Sequence, residues 1–212
     1  MSPAAKGKQR PLVAVYADES CLGNGREGEN PGGAGVIVEI SRRGKLVRRD
    51  LWVSEPATTN NRMALRSVIE TFKALGRKGS SLRVVFTTDS RYIVDGMNSW
   101  VHSWEKRGWR RRTGNIENLE LWHEAMRAVG DQWVQWRWVR GHAGHPQNEY
   151  ANDLAVRAAA TLANSDGLVE SGFDVWAAER AAAGKVVTPE PFPDGAVFRA
   201  SRALPSPHPA SP

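Results

Sequence analysis

Two aspartates stand at the ends of apolar runs: Asp18 follows residues 12–17 and Asp89 follows residues 82–88. If those runs are neighbouring parallel strands, both carboxylates emerge at one edge of a sheet, and the carboxyl ends of strands are where α/β sheets build sites. Asp153 supplies a third carboxylate from an alanine-rich stretch that follows a loop bearing His142 and His145. Oxygen donors of this kind suit magnesium or manganese, hard cations that keep several waters and take further ligands from substrate phosphate. Taken singly, each aspartate is an ordinary turn or cap residue. Their grouping is what points to chemistry.

A second group is cationic. Lys106, Arg107, Arg110, Arg111 and Arg112 are interleaved with Trp100, Trp104 and Trp109. Arginine and lysine grip a phosphate backbone without reading its sequence, while buried indoles hold such an element in place. The bland alternative is a solvated loop anchored by its tryptophans. The net charge of +6 favours a polyanionic partner, because each neutralised phosphate releases condensed counterions. Trp133, Trp136 and Trp138 lie in a run of alternating character, with Val134, Trp136 and Trp138 on one side, and are expected to pack a sheet.

The elements that position these groups follow from periodicity. Residues 12–17, 34–40 and 46–53 read as strands, the first two separated by a glycine- and asparagine-rich loop. Thr58-Thr59-Asn60-Asn61 is a helix N-cap cluster, and Leu65, Val68, Ile69, Phe72 and Leu75 then recur at helical spacing to about Gly76. Residues 82–88 form a fourth strand, which a helical crossover permits to run parallel to an earlier one. Helices begin near Tyr92 and at 118–129, a fifth strand spans 133–139, and a helix covers 148–163. Strands followed by helices in this order predict an α/β protein, a mixed sheet flanked by helices.

Five segments stand in register: Tyr16-Ala17-Asp18-Glu19-Ser20-Cys21-Leu22-Gly23-Asn24, Thr58-Thr59-Asn60-Asn61-Arg62-Met63, Thr88-Asp89-Ser90, Trp104-Glu105-Lys106-Arg107-Gly108-Trp109 and Val139-Arg140-Gly141-His142-Ala143-Gly144-His145-Pro146. In order and spacing they resemble the motifs of bacterial type 1 ribonuclease H, over approximately residues 12–163. The resemblance implies a ribonuclease H-like fold with a five-stranded mixed sheet. It also implies two-metal hydrolysis of the RNA strand of an RNA–DNA hybrid, with Mg2+ (or Mn2+) as cofactor and 5′-phosphate and 3′-hydroxyl ends as products. Asp18, Asp89 and Asp153 match three of the family's four metal-binding acids, and His142 matches its loop histidine, which assists proton transfer or product release. His145 reads as a hydrogen-bonded surface group. Cys21, Asn24, Thr59, Asn60, Asn61 and Arg91 match or adjoin positions that meet the nucleic acid, although Asn60 and Asn61 read equally as helix caps. Trp100, Trp104, Lys106, Arg107, Trp109, Arg110, Arg111 and Arg112 resemble the family's basic protrusion.

The departures matter as much. The family's fourth acid, a glutamate directly after Asn-Asn-Arg-Met, is Ala64 here, and Glu19 stands where the family has glycine. One acid has vanished and one has appeared beside the same site, so Glu19 is the candidate replacement ligand; Glu70 lies six residues beyond Ala64, on another side of the helix. Geometry counts against Glu19, because neighbours in a regular strand point to opposite faces unless the chain turns or bulges. The alternative is a catalytically impaired hybrid-binding protein.

The expected organisation is a basic N-terminal arm (1–10), the ribonuclease H domain (11–164), an extra helix within 165–187, and a proline-rich disordered tail (188–212). A lone cysteine excludes an intramolecular disulfide and a cysteine-built zinc site. No apolar run reaches the length of a membrane span or a signal peptide, so a cytoplasmic monomer is expected.

Overall fold

The protein is described by a computed structural model over residues 10–23, 30–77, 79, 81–141 and 143–207. Strands β1 (Leu12–Cys21), β2 (Gly32–Arg42) and β3 (Lys45–Glu55) form an antiparallel meander. Its second turn is the two-residue Arg43-Gly44, both at positive φ (51° and 77°), the conformation that matches strand twist in a tight hairpin. Strands β4 (Arg83–Thr88) and β5 (Trp133–Trp138) add in parallel on the other side of β1. The order is β5-β4-β1-β2-β3-β6, a mixed six-stranded sheet. The five expected strands are joined by the two-residue β6 (Val169–Glu170), which pairs with β3 from beyond the stretch that resembles the family.

β1 lies inside the sheet and is apolar on both faces because helices cover both. Val13, Val15 and Ala17 face α1 (Asn60–Gly76) in the main core, and α4 (Leu119–Val129) joins that core against α1. Ala14 and Tyr16 face Tyr150 and Leu154 of α5 (Pro146–Thr161) and Phe173 of α6 (Phe173–Ala182). A strand buried on two sides reads as a continuous apolar run rather than an alternating one. The α5 face is built for close approach: a Cβ on Gly35 would lie 2.1 Å from the Ala151 carbonyl oxygen, and one on Gly33 2.1 Å from that of Ala155. Glycines on β2 therefore let the α5 backbone rest directly on the sheet.

Between β4 and α4 the chain forms α2 (Arg91–Asp95), a π-helical turn (Gly96–Trp100) and α3 (Val101–Glu105), then the basic loop. Trp136 is the core member of the β5 tryptophans, its ring 5.2 Å from Phe86 and 6.1 Å from Phe72. The expectation of sheet packing fails for the other two. Trp133 is 52% exposed under the Arg10 guanidinium, and Trp138 is 38% exposed under that of Arg91.

The C-terminal segment is the largest correction. In place of a disordered tail, residues 188–207 return across the molecule. Arg137 donates to both carboxylate oxygens of Glu190, Phe192 packs on the α5–α6 cluster, and Leu204 packs on the main core. The Ser201 N–H donates to the Val134 carbonyl (2.8 Å), covering the outer edge of β5. Arg83 ties this segment to the start of β1, donating to the carbonyls of Arg10 (3.0 Å) and Gly195 (3.0 Å). The arm 1–9 and residues 208–212 lie outside the described residues.

Candidate active site

Asp18, Glu19 and Asp89 each offer a carboxylate oxygen, all within 4.8 Å of one another. β1 and β4 run parallel with Ala17 opposite Thr88, so Asp18 and Asp89 leave adjacent strands at the same level. Asp18 continues the row of Ala14 and Tyr16 toward α5. It is buried, and Asn148 donates its side-chain amide to Asp18 Oδ2 (3.1 Å) and to the Ala17 carbonyl (3.3 Å).

Glu19 continues the opposite row, Val13, Val15 and Ala17, on the α1 face. Ala64 is fully buried among those same residues. No turn or bulge is needed to bring Glu19 in, since β1 keeps its register with β2 through Cys21. The β1–β4 ladder ends at Thr88, and beyond that end Asp18 from the α5 face and Glu19 from the α1 face both reach Asp89. The alternation that counted against Glu19 is what places it on the face of the helix that lacks its acid.

Burial, then the neighbouring Asp89, pushes the Asp18 carboxyl up to about 7, opposed by the Glu19 N–H (2.7 Å) and Asn148. Burial, then Asp18 and Asp89, lifts Glu19 well above the usual carboxylate range, opposed by Ser90. The groups that shift these two acids are other acids and neutral donors, so the site favours an added positive charge. An all-oxygen donor set crowded in this way fits a hard divalent cation.

The β5–α5 loop closes over Asp89. Trp138 Nε1 donates to the Asp89 carbonyl (3.0 Å), and the Val139 N–H to that of Thr88 (3.1 Å). A Cβ on Gly141 would lie 2.1 Å from Asp89 Oδ2, so only glycine allows this approach. His142 lies outside the described residues. His145 is half-buried, with Nε2 2.7 Å from Glu190 Oε2.

Asp153 is not brought to the cluster. Its carboxylate accepts from Trp176 Nε1 (2.7 Å) and Arg180 (3.0 Å) on the outer side of α5. Helical phase explains this: at ~100° per residue, Asp153 sits about 140° round from Asn148, whereas Asn152, one turn on, returns to the Asn148 side. Asp153 is exposed, whereas Tyr150, Ala151, Leu154 and Ala155 are buried on the inner face of α5.

On the nucleic-acid side, Asn24 lies outside the described residues. Thr59 is the α1 N-cap, accepting from the Arg62 N–H (3.4 Å), so Asn60 and Asn61 are the first residues of the helix rather than its cap. Cys21 and Thr58 converge above Gly32, bringing β1 beside the start of α1. Burial, then Glu19 and Glu55, pushes the Cys21 thiol up to about 11, which keeps it protonated. Arg91 is exposed over Trp138. Lys106, Arg107, Arg110, Arg111 and Arg112 are all exposed. Beneath them Trp104 meets Trp100 (6.0 Å) and Trp122 (5.5 Å), and Trp109 meets His123 (4.4 Å between ring centroids).

The sequence description of the RNase H family matches residues 10–160. The chain belongs to the ribonuclease H family. A ribonuclease H from Pseudomonas entomophila (strain L48) is 44% identical over 146 residues, 68% of this chain and 91% of that protein. One from Neisseria gonorrhoeae (strain ATCC 700825 / FA 1090) is 42% identical over 149 residues, 70% of this chain and 95% of that protein. Among solved structures, LC9-RNase H1, a type 1 RNase H with the type 2 active-site motif, is 66% identical with a TM-score of 0.90, covering 96% of this chain and 98% of that one. The PFV RNase H domain, at 15% identity and TM-score 0.60 over 72% of this chain and 97% of its own, shares the fold.

This ribonuclease H is thus a hydrolase of known fold, with Asp18, Glu19 and Asp89 grouped at one edge of its sheet. Two of its polar groups carry no mark in the sequence. Asn148, which anchors Asp18, is an ordinary asparagine in the first turn of a helix. Glu190 lies beyond residue 160, where the family match ends. Among the described residues, no helix is long and apolar enough to cross a membrane.

Proposed function

We propose that this ribonuclease H hydrolyses the RNA strand of RNA–DNA hybrids, leaving 5′-phosphate and 3′-hydroxyl ends, with Mg2+ or Mn2+ held by Asp18, Glu19 and Asp89. The convergence of Glu19 with the two aspartates, on the face where Ala64 offers no ligand, carries this reading. Its relative LC9-RNase H1, a type 1 enzyme with a type 2 active-site motif, supports a relocated acid. A pair of divalent ions, when bound, supplies a water ionised near neutral pH and stabilises charge on the leaving oxygen.

The chain's own residues do the rest. Asn148 and the Glu19 amide hold the Asp18 carboxylate in one orientation, so its oxygens are preset rather than ordered on binding. Asn152, on the Asn148 side of α5, offers a neutral oxygen where Asp153 does not reach. His142 takes or delivers a proton at an imidazole nitrogen, a role open to histidine as a residue type. The exposed arginines of the protrusion grip the DNA backbone, while Cys21, Asn24, Thr59, Asn60, Asn61 and Arg91 line the approach of the two strands, recognising shape and the 2′-hydroxyl rather than sequence.

Cleavage of a labelled hybrid in Mg2+ or Mn2+ by the native chain, Glu19→Ala and Ala64→Glu tests the assignment. The native chain cuts, and Glu19→Ala loses roughly 100-fold or more in kcat. A native chain that binds hybrid without cutting, with turnover appearing only in Ala64→Glu, overturns the assignment in favour of an impaired hybrid-binding protein.

A further inference from the structure

We propose that Glu190 is a positioning residue for the loop carrying His142, clamping that loop at its base from the C-terminal segment. The idea rests on the proposed role of His142. The loop spans residues 139–145 between β5 and α5, and a group on each flank is aimed at Glu190. Arg137, the penultimate residue of β5, donates to both carboxylate oxygens. His145, at the N-cap of α5, meets Oε2 at 2.7 Å.

The backbone of residue 190 completes the clamp. Gln147, fully buried, donates to the Glu190 carbonyl (2.9 Å) and accepts from its N–H (3.0 Å). One residue of the returning segment thus bonds to both ends of the loop with its side chain and its main chain. Arg137 also donates to Thr87 Oγ1 (3.1 Å), linking the clamp to β4 two residues before Asp89. The Tyr16 ring, 5.5 Å from that of His145, backs the assembly from β1.

The local sequence presets this arrangement. Pro189 and Pro191 flank Glu190; the first has a fixed φ and the second disfavours helix at the residue before it, so Glu190 is presented on a stiff extended backbone at little entropic cost. Burial pulls the Glu190 carboxyl up, but Arg137 and His145 outweigh it and hold it below its ordinary value, as a working ion pair requires. Glu190 lies beyond residue 160, where the family match ends.

The test measures kcat and KM for hybrid cleavage by the full chain in Mg2+, alongside thermal melting, for Glu190→Ala, Glu190→Gln, His142→Ala and the Glu190→Ala/His142→Ala double variant. Glu190→Ala is expected to lower kcat roughly tenfold with KM within about twofold, and Glu190→Gln, the milder change, by less. In the His142→Ala background, Glu190→Ala should cost less than about twofold, because the residue through which it acts is already gone. Equal losses in both backgrounds, or a lowered melting temperature with kcat unchanged, overturn the clamp alone. A His142→Ala chain at full kcat overturns the role of His142 and the clamp with it.

Discussion

At the scale of single residues, the site depends on close approaches that leave no room for side chains. Gly141 is the sharpest case, with Asp89 Oδ2 in the space a methyl group would take. Gly141→Ala must therefore push either the loop or the carboxylate aside. We expect kcat to fall roughly 10- to 100-fold with a modest change in melting temperature, since a displaced ligand costs rate before it costs fold; unchanged cleavage kinetics would show that the loop yields freely. Which residues were legible follows from local geometry. Asp18 and Asp89 could be found because strand ends are marked by apolar runs stopping. Asp153 stands apart because its identity matched while its helical phase did not, and the α5 group that does meet Asp18 is the amide of Asn148, whose type carries no signal of its own.

Among the elements, the stretch from α2 to α4 starts two residues after Asp89 and carries the basic loop proposed to hold the substrate. Its arginines are exposed while its tryptophans interlock beneath, so charge can be removed without unpacking the support. Replacing Arg110, Arg111 and Arg112 by alanine should weaken hybrid binding and shallow the slope of log affinity against log salt by about 0.9 for each phosphate that is no longer neutralised. An unaltered slope in a salt titration would remove this loop from the interface. The meander, α1 and α5 were readable because periodicity is a property of each segment by itself. The returning C-terminal segment was not, because its order comes from a surface already built: Phe192, Leu204 and Ser201 each dock on something the rest of the chain provides. Prolines that suggest disorder in isolation also stiffen an extended strap once it has a place to lie.

For the molecule as a whole, the acidic cluster links stability to pH and metal. The folded Asp18 carboxyl titrates at about 7, above its unfolded value of 3.8, so between those values the native state holds more protons than the unfolded chain. Stability of the metal-free protein should then be greatest below the unfolded value and decline as pH rises toward 7, by roughly 2–4 kcal/mol for this group. Mg2+ should cancel the decline, as it competes for the ionised form. Denaturant melts at pH ~4.5 and ~7.5, with and without Mg2+, measure both effects; metal-free stability that rises across this window would contradict the sign. A fold with helices on both faces of β1 makes such a site possible, because it lets neighbouring residues of one strand arrive from opposite sides.

Arg83 joins what the chain order keeps far apart. Its guanidinium holds the carbonyls of Arg10 and Gly195 at once, so the first described residue and the returning C-terminal segment share one partner. If either end peels away, the other loses part of the arrangement that held Arg83 in place. Fraying, ordinarily a private matter for each terminus, is here a joint event, and local opening at the start of β1 and at the cover of β5 should rise and fall together.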